Sequence, residues 1–537
     1  MADKQSIEDI RKKVKQRVAQ EAGSTSTPDP AKNKEQISRR FVRDCLFANA
    51  LGDGMLFCEL HKDRFVMNKT TGEWLLFNGQ HWERDILDQA VAAVEDVAGR
   101  YLEEAQILVD EIGKALKGRN DEKAEQLEDL QKKLYKRVKR LRGDTGRKAC
   151  ISFAHTNNSN ALAIDGDQFD SNPMLLPCAN GVIDLRTGEI RDGQPTDWLF
   201  KASPVMWRGF DEPAELWKKT VLEIFDGSEE MATYLRRLLG YAITGITVEH
   251  ILPIMWGAKG RNGKGTIVET IKSVLGPLAA PAPSELFLTQ YRPTSSSGPS
   301  PDIMALRGLR LVFGSETDEG RKFSSSKIKW LTGADTLVGR NPYDKDPTYF
   351  RPTHTLFLMT NNRPTAPPDD NAFWERVNLI PFKLSFVSRK PAHDYERSAD
   401  KNLVEKLKEE HPGVLAWLVR GCLEWQKYGL APPATVLAAN QNYRAESDDV
   451  QAFIDTECKI EPEAKEGGTL LYERFCDWYR ENRDRNEKKT PSHRWFGLRM
   501  KKKFHSDKAE QDDPDGRWNR KNIIYFGVRL RPEPLDP

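Results

Sequence analysis

The stretch Ile251-Leu-Pro-Ile-Met-Trp-Gly257-Ala-Lys-Gly260-Arg-Asn262-Gly263-Lys264-Gly265-Thr266-Ile267 decides how the rest of the chain is read. Ile251 to Trp256 is an apolar run of strand length, the glycines relax the backbone, and from Ile267 to Val274 apolar residues return at helical spacing. Strand, glycine-rich loop and helix is the context a phosphate-binding loop requires. Such a loop turns backbone N–H groups inward at a helix N-terminus, where aligned peptide dipoles favour an anion, and Lys264 supplies a point charge for the β- and γ-phosphates. The strict pattern G-x-x-x-x-G-K-[ST] is not met. Ala258 stands five residues before Gly263, and Gly265 follows the lysine. The hydroxyl expected to hold Mg²⁺ is displaced to Thr266, about 100° further round the helix. A glycine-rich turn with a surface lysine is the plain alternative.

With 537 residues the chain has room for two to four domains. A formal charge of +2 means that any nucleic-acid surface must arise from local clustering. Cysteines 45, 58, 150, 178, 422, 458 and 476 form no C-x-x-C pair, which argues against a zinc module and for a reducing compartment. No apolar run approaches the roughly 18 residues of a membrane span, and Met-Ala-Asp-Lys-Gln lacks a signal-peptide core. A soluble, intracellular protein without a membrane partner is expected.

Residues 1–34 are charged and then Ser/Thr/Pro-rich, and are read as a flexible arm. An α+β domain is expected over 35–213. It includes a hairpin from Trp74 to Trp82 through Asn78-Gly79, its aromatics serving as core. Residues 102–148 predict two antiparallel helices broken at Gly118-Arg-Asn-Asp. Their basic face, Lys132 to Arg142, is read as solvated in preference to phosphate-binding. Short strands around Leu162–Ile164 and Met174–Glu189 suggest a small β-rich part of the same domain. Residues 214–250 predict a helical collar leading into the loop.

Beyond the loop, Leu309 to Phe313 is a strand that ends in Gly-Ser315-Glu316. An acid in that place holds Mg²⁺ or polarises the attacking water; Glu316 takes this role, with Asp318 a weaker candidate. A second strand, His354 to Thr360, ends in Asn361, whose amide can orient a water through both donor and acceptor. Asp370 to Phe382 then sets Arg376 beside a short apolar strand, and an arginine supplied in trans stabilises a transferring phosphoryl group.

These segments, together with Lys329-x-Leu-Thr-Gly333-x-Asp335 and Thr360-Asn361-x-x-Pro364, resemble the successive motifs of superfamily 3 helicases. The phage, plasmid and poxvirus primase-helicase branch is the best match, and Trp74 to Asp85 and Asn180 to Gly188 resemble the domain that precedes the motor in that branch. The resemblance covers roughly residues 60–385. It implies a multidomain α/β protein with an AAA+-like P-loop core at 251–385. It further implies a hexameric ring translocating on single-stranded and forked DNA, with ATP and Mg²⁺ bound between subunits. Carried over, Gly257, Gly260, Asn262, Gly263, Lys264, Gly265 and Thr266 would bind nucleotide, and Thr266 and Glu316 the metal. Glu316 would activate water, Asn361 would be the sensor, and Arg376 the finger reaching a neighbour. The DNA-touching hairpin would be Asn341 to Thr348, with Lys345 near its tip. No catalytic primase segment precedes residue 60, so a separate primase or polymerase is the expected partner.

Residues 386–447 read as a helical lid. From 448 to 537, helices at Leu470–Arg483 and Ser492–Phe504 and a strand with Gly516 at its turn suggest a winged helix. Residues 483–531 hold 15 Lys or Arg against 7 Asp or Glu, which is a footprint for phosphate contact. Arg494, Arg499, Lys501, Lys502, Lys503 and Arg517 are the expected DNA contacts. Two rivals remain: a DNA-binding initiator whose weakened loop binds ATP without turnover, and a P-loop kinase, which leaves Lys329 to Arg376 unexplained.

Overall fold

A computed structural model describes residues 37–156, 161–289, 298–315, 321–482 and 490–532. The arm expected at 1–34 and the residues Glu316 and Asp318 lie outside them. The chain divides into two compact units, one of residues up to Phe169 plus Gln194–Phe200, the other of Asp170–Gly193 plus Lys201 onward.

The first unit is α+β. Helices α1 (Arg39–Phe47) and α2 (Asn49–His61) lead into β1 (Phe65–Asn68), β2 (Glu73–Phe77) and β3 (Trp82–Arg84). Then come α3 (Val94–Lys117), α4 (Asp121–Leu141), α5 (Asp144–Ala154) and β4 (Ala163–Ile164). The sheet order is β3-β2-β1-β4, and the expected Trp74–Trp82 hairpin is its antiparallel β2–β3 pair. The break between α3 and α4 falls at the anticipated Gly118–Asn120, with the Asn120 side chain accepting from Lys123 N. Gln131 donates to the Ala105 carbonyl and Arg142 to Glu95, so the two helices run antiparallel. A buried ion pair fixes their bases: Arg137 Nη1 donates to Asp53 at 2.8 Å, and the Tyr101 hydroxyl donates to the same carboxylate at 3.1 Å. A buried charge is tolerable only with such partners. Trp82 is 1% exposed, stacked on Trp198 and donating to the Pro195 carbonyl, which explains why residues 194–200 return to this unit.

The second unit begins with the antiparallel meander β5 (Leu175–Cys178), β6 (Gly181–Asp184) and β7 (Glu189–Arg191). The single domain expected at 35–213 is therefore divided. The reason is packing: Leu176, Cys178, Ile183 and Leu185 share a core with Trp217, Val221 and Tyr241. Helices α6 (Glu215–Ile224) and α7 (Glu229–Ala242) follow, then β8 (Leu252–Trp256), α8 (Lys264–Leu275), β9 (Ala279–Ala282) and β10 (Leu311–Ser315). After α9 (Ser325–Thr332), the antiparallel pair β11 (Leu337–Gly339) and β12 (Thr348–Phe350) precedes β13 (Thr355–Thr360) and β14 (Val377–Pro381).

Strands β14-β8-β13-β10-β9 form one sheet in that order, all parallel. Their sequences are continuously apolar because both faces are covered. Leu252, Ile254, Val312, Leu356, Leu358 and Leu379 bury on one side; Met255, Leu311, Phe313, Phe357 and Ile380 bury on the other, against α7 and α8.

The region expected to be a helical lid opens instead with two short parallel strands, β15 (Ser385–Val387) and β16 (Glu396–Ser398). Helices α10 (His411–Tyr428) and α11 (Ala434–Glu446) come after them. The C-terminal part comprises α12 (Asp449–Glu457), β17 (Cys458–Gly467), α13 (Gly468–Asn482), α14 (His493–Lys503), β18 (Ser506–Lys508) and β19 (Ile523–Leu530), with sheet order β17-β19-β18. Strand β17 is invisible to apolar patterning, since Lys459-Ile-Glu-Pro-Glu is charged. Its register breaks between Ile460 and Lys465, so Pro462 lies within the irregularity and outside the ladder.

All seven cysteines are free and buried. Burial pushes the Cys58 thiol up to about 11. No described helix is long and apolar enough to cross a membrane.

Helices α7 and α10 cross at Gly240 and Gly421, where a Cβ on Gly240 would lie 2.2 Å from Cys422 N. Gly240→Ala is expected to destabilise the second unit by about 1–3 kcal/mol through overpacking. Gly99→Ala, in the interior of α3 with nothing within 4 Å of the added carbon, is expected to stabilise by about 0.5–1 kcal/mol. Thermal unfolding of the two variants should shift in opposite directions.

Candidate functional site

The residues expected to form a phosphate loop gather at the C-terminal ends of β8 and β13, the crevice where ligands of open parallel α/β sheets bind. Local geometry explains the glycines that matter. A Cβ on Gly257 would come within 2.0 Å of the Asn262 amide nitrogen. Gly263 has φ +82°, and its Cβ would strike Ile224 of α6. Arg261 also adopts a positive φ, +60°, which costs a non-glycine residue strain. Three bonds offset it: the Asn262 amide donates to the Lys259 carbonyl at 2.6 Å, Ser385 Oγ to the Gly260 carbonyl at 3.0 Å, and Phe386 N to the Arg261 carbonyl at 2.7 Å. The β15 strand is thus a strap across the loop, reinforced where Lys259 Nζ lies over the Tyr395 ring.

Lys264 opens α8 and is only 8% exposed. Its ammonium donates to Asn361 Oδ1 at 2.7 Å and to the Thr360 carbonyl at 3.1 Å, so the lysine and the amide at the tip of β13 are in direct contact. Around them is a cavity of about 790 Å³ lined by the loop from Gly260 to Thr266, by Thr360 and Asn361, by Thr220 and Ile224 of α6, and by Phe386 and Leu403. A space of that size matches small-molecule and cofactor sites. Thr266, half-buried, lines it, and its single hydroxyl suits a hard cation that keeps waters and phosphate oxygens as its other ligands. Gly265 also lines it, with open space where a side chain would stand.

Other expected residues lie elsewhere. Arg376 precedes β14, whose Val377 pairs with Leu252 and whose Pro381 pairs with Trp256. It stands at the opposite end of the strands from Lys264, about 16 Å away by strand rise, and donates to the Ala372 carbonyl. Lys345 is exposed in the β11–β12 connection beside Tyr343, which is fully exposed with φ +73°. Lys329 donates to Asp370 at 2.8 Å, and Asp370 also accepts from Ser325 and caps the turn Asn371–Trp374.

The basic C-terminal residues divide into two groups. Arg494 and Lys501 are open on α14, whose start is capped by Ser492. Lys503 is instead bonded to Asp448 and Gln451 at 2.8 Å each. Arg517 is bonded to Asp513 through two nitrogens at 2.9 Å, holding that carboxyl below its usual range and folding the turn at Gly516. Arg499 lies over the Trp495 ring, and both it and Lys502 approach Asp369, at 3.5 and 3.2 Å. Of the six expected DNA contacts, Lys503 and Arg517 are thus held by carboxylates, Arg499 and Lys502 face Asp369, and Arg494 and Lys501 stand open. The strap and the α6 wall escaped the sequence reading because neither carries a motif. The only signal for the strap was the short apolar run after Pro381.

Residues 54–226 match the family described as D5 N terminal like. A protein named as a helicase from Acanthamoeba polyphaga mimivirus is 29% identical over 432 residues, 76% of this chain and 43% of that relative. One named as a helicase from Frog virus 3 is 24% identical over 386 residues, 58% of this chain and 39% of the relative. One named as a primase from African swine fever virus is 22% identical over 341 residues, 58% and 34% respectively. The chain spans less than half the length of each. These likenesses bear out the resemblance to the D5-like primase-helicase family.

Gly257→Ala should displace Asn262 and open the loop, lowering the melting temperature and weakening nucleotide binding at least about tenfold, since about 1.4 kcal/mol of misplacement suffices. Gly265→Ser meets no neighbour and should leave stability unchanged or slightly raised. Isothermal titration and thermal melts of both variants check this.

Proposed function

We propose that this relative of the D5-like primase-helicases is an ATP-driven DNA helicase of a virus or mobile element, working as a hexameric ring on single-stranded DNA. The observation that carries the reading is the Lys264–Asn361 contact in the lining of the cavity, between the strand-to-helix loop and the tip of the adjacent parallel strand. A γ-phosphate bound there would take over part of the ammonium's coordination and bring Asn361 beside the attacking water. The backbone N–H groups at the start of α8 favour the same anion. Mg²⁺ would be held by Thr266 together with Glu316, and when bound it neutralises phosphate charge.

Arg376, at the end of its own sheet away from Lys264, is assigned to a neighbour's nucleotide, and that assignment supports the ring reading. The exposed Lys345 and Tyr343 at the β11–β12 connection are the proposed contacts with the translocating strand. The C-terminal part, read as a winged helix, would meet duplex through Arg494 and Lys501, and a separate primase or polymerase would start synthesis. One observation favours a second reading, an ATP-binding initiator without turnover: Gly265 stands where the metal-holding hydroxyl usually is.

Lys264→Ala should abolish ATP hydrolysis, and mixing Arg376→Ala subunits into wild-type assemblies should inhibit more than in proportion to their fraction. Hydrolysis with and without single-stranded DNA, measured alongside solution mass, decides between the readings. DNA-stimulated turnover by a ring-sized particle supports the helicase; nucleotide binding without turnover in either condition supports the initiator.

A further inference from the structure

The outer face of α4, in the first unit, carries a basic strip that the nucleotide site leaves unused. Lys132, Lys133, Lys136, Lys139 and Arg140 are all exposed. At 100° per residue they cover an arc of about 120°, opposite Leu134, Val138 and Leu141, which are buried in the unit's core. From residue 131 to residue 148 the sequence holds nine Lys or Arg and a single acid, Asp144. Lys133 pairs with Asp129 at 2.7 Å. Lys136, Lys139 and Arg140 make no side-chain hydrogen bond or ion pair among the described residues.

Acids stand four residues from Lys132, Lys133 and Arg140, but among the described residues Glu128 is not paired with Lys132, Asp144 is paired with Lys148, and only Asp129 meets its strip cation, Lys133. At the centre of the strip the i−4 and i+4 neighbours of Lys136 are Lys132 and Arg140, an arrangement that destabilises an isolated helix. The helix dipole accounts for cations in the last turn, Lys139 and Arg140, but its influence does not extend back to Lys132, Lys133 and Lys136. Aromatic rings border the strip on both sides. Tyr135, 45% exposed, flanks the Lys139 edge by helical phase; Phe47, 60% exposed, flanks the other edge, with Lys133 Nζ 6.0 Å from its ring centroid. A membrane surface would need an apolar helix face, and that face of α4 is already buried. Cations flanked by exposed rings are the ingredients of single-strand recognition, in which phosphates track the charge and bases stack on the aromatics.

We propose that this strip is a binding surface for single-stranded DNA, with phosphates on Lys132, Lys136 and Arg140 and bases against Phe47 and Tyr135. It rests on the helicase reading for the identity of the strand, but not on nucleotide hydrolysis.

The test is fluorescence anisotropy of a labelled oligothymidine with the full chain, in the absence of nucleotide and across a salt series. Lys136→Glu/Arg140→Glu should weaken binding at least about tenfold and lower the slope of log affinity against log salt by about 1.4, from roughly 0.7 per single-strand phosphate. Lys132→Glu/Lys136→Glu should do the same, which guards against a local effect of Arg140 on the fold. Phe47→Ala and Tyr135→Ala should each weaken binding about fivefold or more with the slope unchanged. Thermal unfolding and DNA-free ATP hydrolysis should match wild type throughout. Wild-type affinity in the charge variants overturns the proposal. So does a charge effect with no aromatic effect, or an equal loss of binding to anionic vesicles or to an acidic peptide, because each assigns the strip to another polyanion. A chain that binds the oligonucleotide through the strip but does not hydrolyse ATP retains this proposal and loses the helicase reading.

Discussion

A nearly buried ammonium constrains the second unit. Lys264 sits at the start of α8 with an amide oxygen and a carbonyl accepting from it, and both come from the end of β13. That requires β13 to lie directly beside β8, although about a hundred residues separate them in sequence. The parallel order follows, with β10 and β9 placed outward on one side and β14 on the other. Parallel strands need crossovers, and the crossovers supply the helices that close both faces.

The elements along this sheet were legible because each announced itself locally. Ile251–Trp256 was apolar enough for a strand buried on both faces, the glycines marked the turn, and Thr360-Asn361 ended the neighbouring strand. The hairpin at Asn78-Gly79 and the break at Gly118 were legible for the same reason, since turn chemistry is written in a few adjacent residues. The division between units was not, because it depends on which core accepts Leu176 and Ile183, a core shared with Trp217, Val221 and Tyr241 far along the chain. Strand β17 was hidden for a different reason. Its side chains are largely exposed, so no apolar alternation records it, and only its pairing with β19 defines it.

Charge was the least reliable signal. The C-terminal excess of basic residues is real, but Lys503 and Arg517 are committed to holding α12 and the turn before β19, and Asp369 faces Arg499 and Lys502. A count of cations in sequence measures neither their direction nor their partners. The reverse holds for part of α4: of the residues read as a solvated face, Lys133, Arg137 and Arg142 meet carboxylates, while Lys136, Lys139 and Arg140 are left without counter-charges among the described residues. What separates the two cases is three-dimensional: whether a carboxylate happens to be folded within reach.

The strap formed by Ser385 and Phe386 has a consequence for how occupancy is sensed. Because the Ser385 hydroxyl and the Phe386 main-chain N–H of β15 hold Gly260 and Arg261 directly, the loop's curvature is set by the protein and not by its guest. Such a receptacle is preorganised and loses little affinity to ordering when a ligand arrives. It also has no disorder-to-order transition with which to report that arrival. Any message would leave as a rigid displacement, and the segment that touches the loop at Ser385, Phe386 and Tyr395 is the lever on which the loop would push.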